Sequence, residues 1–226
     1  MSKFKHLTWW LLSCGSLAVI GSGLVTPVQA AQQSPVQIEL APNNDETAVT
    51  PVDPNDPSKP YPGDSVDPGN SGTGSKGSLT IDFISNLTFE ATSVSSGPVT
   101  VAAKNQLAMV QVTDRRDTGA GWTLQVVPEA PSNGKQTLAT SIDLGAVKIK
   151  AASTNVSAAP QLVSRQLTAG QVNNVLVADK NAGIGTWLLV LNQSNPATKL
   201  TIHDTQLTTG DYQGTMTWML TDAPSS

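Results

Sequence analysis

Cysteine is nearly missing: the chain of 226 residues has one, Cys14, close to its start. It lies in the stretch expected to be removed, and a mature chain without cysteine has no disulfide and no cysteine-ligated zinc, so the folded body must rely on packing and hydrogen bonds. Histidine is almost as scarce, at two residues. Apart from His6 in the N-terminal leader this leaves His203, which follows the alternation of Leu200 and Ile202 onto the solvent side of a strand. No G-x-S-x-G elbow occurs in the part expected to fold, so a serine triad has no support. Charged residues make up only 13% and the formal net charge is −4, without the basic stripe of a nucleic-acid binder. Metal ligands in a recognisable spacing and cofactor motifs are missing as well. Gly72, Gly74 and Gly77 match G-x-G-x-x-G, but they sit between a Pro/Gly-rich stretch and a strand, where the dinucleotide fingerprint needs a strand followed by a helix.

Long apolar runs are confined to the first thirty positions. Lys3 and Lys5 form a positive start, residues 7–25 are apolar but loosened by Gly15, Gly21 and Gly23, and Val28-Gln29-Ala30 is a small-x-small cleavage site. Residues 1–30 are therefore expected to be a signal peptide, and the protein to be secreted. The LLSC stretch ending at Cys14 resembles a lipobox only loosely, since few apolar residues precede it and a better cleavage site follows. The C-terminus shows no LPxTG-like motif, hydrophobic stop or basic tail, so retention at a surface would depend on folded contacts.

Residues 31–78 are rich in Pro, Asp, Asn, Ser and Gly, with Tyr61 as the one aromatic. Glu39, Asp45, Glu46, Asp53, Asp56, Asp64 and Asp67 face only Lys59 and Lys76. Such a composition buries too little apolar area to offset ordering entropy, so a disordered acidic linker that supplies reach rather than contacts is expected. From 79 onward the chain reads as short alternating runs: Leu79, Ile81 and Phe83; Leu87, Phe89 and Ala91; Val99 and Val101; Ile142 and Leu144; Val147 and Ile149; Leu200 and Ile202. Residues 187–191 are continuously apolar, the pattern of a central strand covered on both faces or lying in a sandwich core. The expectation is an all-β fold, one antiparallel β-sandwich or barrel of about ten to twelve strands over 79–226.

The acids of this part, Asp82, Glu90, Asp143, Asp179, Asp204 and Asp211, are spread thinly and are expected to be solvated rather than paired for glycoside cleavage. Asp114 and Asp117 flank Arg115 and Arg116 in a short acidic-basic turn, structural or part of a binding edge. Trp187 belongs to an apolar run and is expected in the core.

Two stretches stand out. In residues 212–224, Tyr212, Gly214, Met216, Trp218 and Leu220 share one face of a strand at a spacing of two, with Gln213, Thr215 and Thr217 on the other. In residues 119–128, Trp122, Leu124 and Val126 alternate with Thr123 and Gln125. Each stretch has a tryptophan and a leucine two apart, and the two strands are expected to pair. The WTL triplet at 122–124 behind VQVTDRRDTGAG, and TWMLTDAP at 217–224, together resemble the paired signature of the WxL-domain family of Gram-positive surface proteins. The resemblance extends over GSLTIDFISNLTF at 77–89 and the Pro/Asp-rich lead-in. It implies a module that attaches non-covalently to the peptidoglycan of the cell wall, with no enzymatic role. It also implies partners: other WxL-domain proteins and a membrane-anchored companion. Trp122, Leu124, Trp218, Leu220, Tyr212, Asp114 and Asp117 are the candidate motif residues, with core filling and sugar stacking both open for the tryptophans. A subunit held by a partner protein through strand addition is the alternative, and a secreted wall-glycan hydrolase a third reading.

Overall fold

Thr and Val alternating with polar residues favour extended chain, because branched side chains pack well on a pleated, half-buried surface. The computed structural model describes residues 45–93, 97–152, 155 and 157–222; the expected signal peptide, residues 31–44 and the last positions of the 212–224 stretch lie outside them. Twelve strands occur among the described residues: β1 (Leu79–Ile84), β2 (Val99–Ala102), β3 (Met109–Asp114), β4 (Trp122–Pro128), β5 (Thr140–Asp143), β6 (Lys148–Ala151), β7 (Gln161–Leu162), β8 (Gln166–Thr168), β9 (Asn173–Ala178), β10 (Gly185–Val190), β11 (Lys199–Ile202) and β12 (Met216–Thr221). They form three four-stranded antiparallel sheets, ordered β1-β3-β10-β6, β2-β11-β5-β8 and β12-β4-β9-β7. The expected all-β antiparallel architecture is what the structure shows. Residues 87–91 contribute only an isolated bridge, Phe89 to Ala103, rather than a strand.

One apolar core is shared by the three sheets. Val110, Val112, Trp187 and Leu189 enter it from the first, Ile142 and Leu167 from the second, and Trp122, Leu124, Val126 and Leu176 from the third. Trp187 is 6% exposed and its indole N–H donates to the Ile184 carbonyl at 3.1 Å. It is the core residue that its apolar run suggested.

The first sheet is buried on both faces, as the 187–191 run requires, and the covering element is a surprise. Residues 45–78, expected to be free linker, lie as a strap across its outer face. Phe83, Met109, Leu188 and Val190 form a second apolar cluster there, closed by Val52 and Tyr61 of the strap. The Tyr61 and Phe83 rings stand 4.5 Å apart between centroids. Composition misleads here for two reasons. The sheet supplies most of the apolar surface, so two anchoring side chains suffice; and the Asp and Asn residues that suggest disorder instead cap the strap's own turns. Asp53 accepts the Asn55 N–H at 2.7 Å, Asp56 the Ser58 N–H at 3.3 Å and Asp64 the Val66 N–H at 3.1 Å. The hydrogen-bonded body therefore starts by residue 45 rather than at 79.

Polar clasps complete the attachment. Gln111 of β3 accepts the Val52 N–H at 3.0 Å and donates to the Thr50 carbonyl at 3.3 Å. The Asp64 carboxylate accepts the N–H groups of Gln106 and Leu107 at 2.8 and 3.0 Å. Burial pushes Asp64 up, but the N–H groups of Leu107, Val66 and Gln106 more than offset this and hold its carboxyl below the usual carboxylate range.

Strict alternation fails in β1. Its pairing with β3 slips between Ile81 and Phe83, a bulge that leaves Asp82 as the extra residue. Leu79, Ile81 and Ile84 keep to the shared core while Phe83 joins the strap-side cluster. Asp82, expected to be solvated, is 2% exposed. It accepts the Thr80 and Thr113 hydroxyls, both at 2.6 Å, and the Gln111 amide at 3.0 Å. Burial without a directly bonded cation raises its pKa above the ordinary value, the three hydrogen bonds notwithstanding.

Candidate functional site

β4 and β12, which carry the two W-x-L triplets, are neighbours in one antiparallel ladder. Thr221 lies opposite Thr123, Leu220 opposite Leu124, Trp218 opposite Val126 and Met216 opposite Pro128. Opposed residues of such a ladder share a face, so both tryptophans and both leucines point toward the core. The tryptophans are not opposite one another. Trp218 faces Val126, four positions from Trp122, which separates the two along the ribbon by roughly 13 Å.

Their surroundings differ sharply. Trp122 and Leu124 are fully buried, and the Trp122 indole N–H donates to the Gly183 carbonyl at 3.0 Å. Gly183 has φ +71°, and a Cβ there would fall 2.6 Å from the indole nitrogen. Only glycine can take that backbone while letting the ring in. Trp218 and Leu220 are half-buried against the same core, because β12 is the edge strand of its sheet.

The acidic-basic turn ties the ribbon together. Asp114, 1% exposed at the end of β3, accepts Arg116 Nε at 3.0 Å and Nη2 at 2.9 Å, a two-pronged contact, and also the Arg116 N–H at 3.0 Å. Arg116 Nη2 further donates to the Gly121 carbonyl at 2.7 Å and Nη1 to the Asp222 carbonyl at 3.4 Å. One guanidinium thus joins the end of β3, the approach to β4 and the end of β12. The hydrogen bond to Asp114 holds the Arg116 pKa above its ordinary value. Asp117 is exposed with φ 53° and shapes the turn. Arg115 turns the other way, pairing with Asp45 at 3.2 Å and donating to the Thr47 and Gly77 carbonyls of the strap.

Tyr212 does not share a strand with Trp218. β12 begins at Met216, and upstream of it the opposing segment of the chain contains Pro128 and Pro131, which lack the N–H groups a regular ladder needs. Pairing persists irregularly through Glu129 to Thr215 and Ser132 to Gln213. The Tyr212 hydroxyl instead lies 2.9 Å from Gln136 Oε1 and 3.0 Å from the Thr208 carbonyl, in a loop network.

His203 is exposed, with Nε2 2.9 Å from Ser141 Oγ. The adjacent Asp204 carboxylate is used by the Ala139 N–H at 2.7 Å. Among the described residues no group of three or more His, Cys, Asp or Glu side chains gathers where a metal could be held.

The ribbon unites Trp122, Leu124, Trp218 and Leu220, with Asp114 at its end, and leaves Tyr212 apart. Arg116 was missed as a linking residue; its place two positions after Asp114, just ahead of a strand, is the signal that could have found it.

A family model described as the WxL domain, surface cell wall-binding, matches residues 28–224. The chain belongs to the WxL family. No curated protein and no solved structure matches it. In this WxL domain the two triplets are one hydrogen-bonded unit, and the matched span includes the strap at 45–78 together with the sheet it covers. The family is a surface, wall-binding one, which supports attachment of this WxL chain to the cell wall at the cell surface.

Proposed function

We propose that this chain is a non-covalent attachment and display module, exported with its leader removed before Ala31 and held on peptidoglycan or another wall polymer. The observation that carries the reading is the family match over 28–224 in a body whose two W-x-L strands are directly paired. Retention would draw on many weak polar contacts repeated along a polymer rather than on one deep pocket. Purified protein mixed with washed wall sacculi should pellet with them and be released by denaturant; protein that stays in the supernatant would refute the proposal. No soluble label should be released from labelled peptidoglycan, since the role is attachment and not hydrolysis.

A second reading has its own observation. Among the described residues β12 pairs only with β4, which leaves its outer edge open there, and it carries half-buried Met216, Trp218 and Leu220. An open edge can accept a strand from another protein, such as another WxL-domain protein or a membrane-anchored companion within a surface complex. Binding to sacculi that retain their proteins, without binding to bare sacculi, would favour it.

A further inference from the structure

We propose that a lysine-lined groove beside the strap binds the phosphodiester backbone of an anionic wall polymer. The proposal rests on the wall-binding reading and narrows its ligand. The groove, about 680 Å³, opens where Asn55 of the strap meets Lys104 and Gln106 of the loop after β2, Lys148 and Lys150 of β6, and Gln193 after β10. None of its lining residues is acidic. Asp64 is taken up by the backbone N–H groups of Gln106 and Leu107, and Asp56 is paired with Lys59, so in a chain of formal net charge −4 the charges that line the groove are three ammonium groups.

The fold builds this array. Lys148 and Lys150 lie opposite Val190 and Leu188 across the β6–β10 ladder. Those two residues belong to the cluster under the strap, so both lysines project from the strap-covered face, alongside the strap. Two positions along a strand set them roughly 7 Å apart. Lys150 Nζ donates to the Pro54 carbonyl at 2.6 Å, which pins one ammonium on the groove wall and uses one of its three donors. Lys104 and Lys148 are exposed. The ion pairs among the described residues, Lys59–Asp56, Arg115–Asp45 and Arg116–Asp114, involve none of the three.

The chemistry selects the ligand class. The groove has no arginine fork to fix a single carboxylate or phosphate in a two-pronged contact; its lysines are point charges that tolerate the many oxygen positions of successive phosphates. Side-chain amides at Asn55, Gln106 and Gln193 add neutral donors beside the charges. An open groove with separated cations suits a ligand that repeats its negative charge along its length. Lysines also guard sheet edges against mispairing, which accounts for Lys148 and Lys150 on β6 but not for Lys104 in a loop.

The test uses the full mature chain and its K104Q/K148Q variant, whose two exposed positions make an unchanged melting temperature the expected control. Both are sedimented with intact sacculi and with sacculi freed of phosphodiester polymers by hydrofluoric acid. On intact sacculi at low salt the variant should be retained several-fold less, and its log-log salt dependence should be shallower by roughly one to two. On stripped sacculi the two proteins should match. Equal retention on intact sacculi at low salt would leave the lysines an edge-guarding role and overturn the groove alone. A deficit that persists undiminished on stripped sacculi would move the ligand to carboxylates and overturn the phosphodiester assignment. A wild-type chain that pellets with neither preparation would refute the wall-binding reading itself.

Discussion

The two strands with the W-x-L triplet have the same local spacing and unlike fates. β4 is flanked by β12 and β9, so Trp122 is enclosed and its indole N–H has a carbonyl partner. β12 has one neighbour among the described residues, and Trp218 covers the core while staying half-buried. A repeated motif is thus not a repeated environment: position in the sheet decides which copy serves as core and which as surface. The pair works as one device because the ladder aligns Leu124 with Leu220 and Arg116 closes its end.

The contrast breaks most directly at Trp122. Its replacement by alanine should cost about 3 to 5 kcal/mol in denaturant unfolding, and Gly183→Ala should be destabilising too, since the new Cβ would fall on the indole. A loss no greater than that of the Trp218 variant would end the distinction. Arg116→Ala comes next, at roughly 2 to 4 kcal/mol, because it strands the buried Asp114 carboxylate and frees two carbonyls. Arg116→Lys, which keeps charge but not the fork, should fall between, and calorimetric melting orders the three. Trp218→Ala should cost only about 1 to 2 kcal/mol, while sacculus retention well below the melting temperature falls further than stability explains. Unchanged retention would make the second tryptophan structural alone.

The smallest effect separates the strap from the ribbon. Asp64 has a folded pKa below the 3.8 of an ordinary aspartate, so its stabilising share is present above that value and is lost as pH falls through the folded pKa. Asp82 has the opposite sign: its raised pKa gives a share present below 3.8 and lost as pH rises through the folded value. The near-UV dichroism of Tyr61 should therefore respond in the acid range before Trp122 fluorescence does. Asp64→Asn should remove the acid sensitivity of the strap signal, and a variant that titrates like wild type would show that Asp64 is not the clasp.

Much of this was legible because it depends on local period. Alternating Leu79 and Ile81, Val99 and Val101, or Leu200 and Ile202 marks strands wherever they go, and the unbroken 187–191 run announced a strand with two covered faces. Apart from the pairing of β4 with β12, which the two matching triplets signalled, what escaped depended on a partner distant in sequence. The bulge at Asp82 shifts the phase inside an otherwise regular strand, and the Tyr212 detachment arises from prolines in the opposing segment.

The sequence by itself determined that this chain forms no internal disulfide, that its C-terminal two thirds are β-structured, and that two tryptophan strands nearly a hundred positions apart pair with one another. Tertiary structure decided that the acidic Pro-rich stretch becomes a strap, that Trp122 is interior and Trp218 marginal, and that lysines from β6 and a distant loop share one groove. The reason is physical: backbone period is written within a few neighbouring residues, whereas burial is a property of surfaces that exist only after distant segments meet.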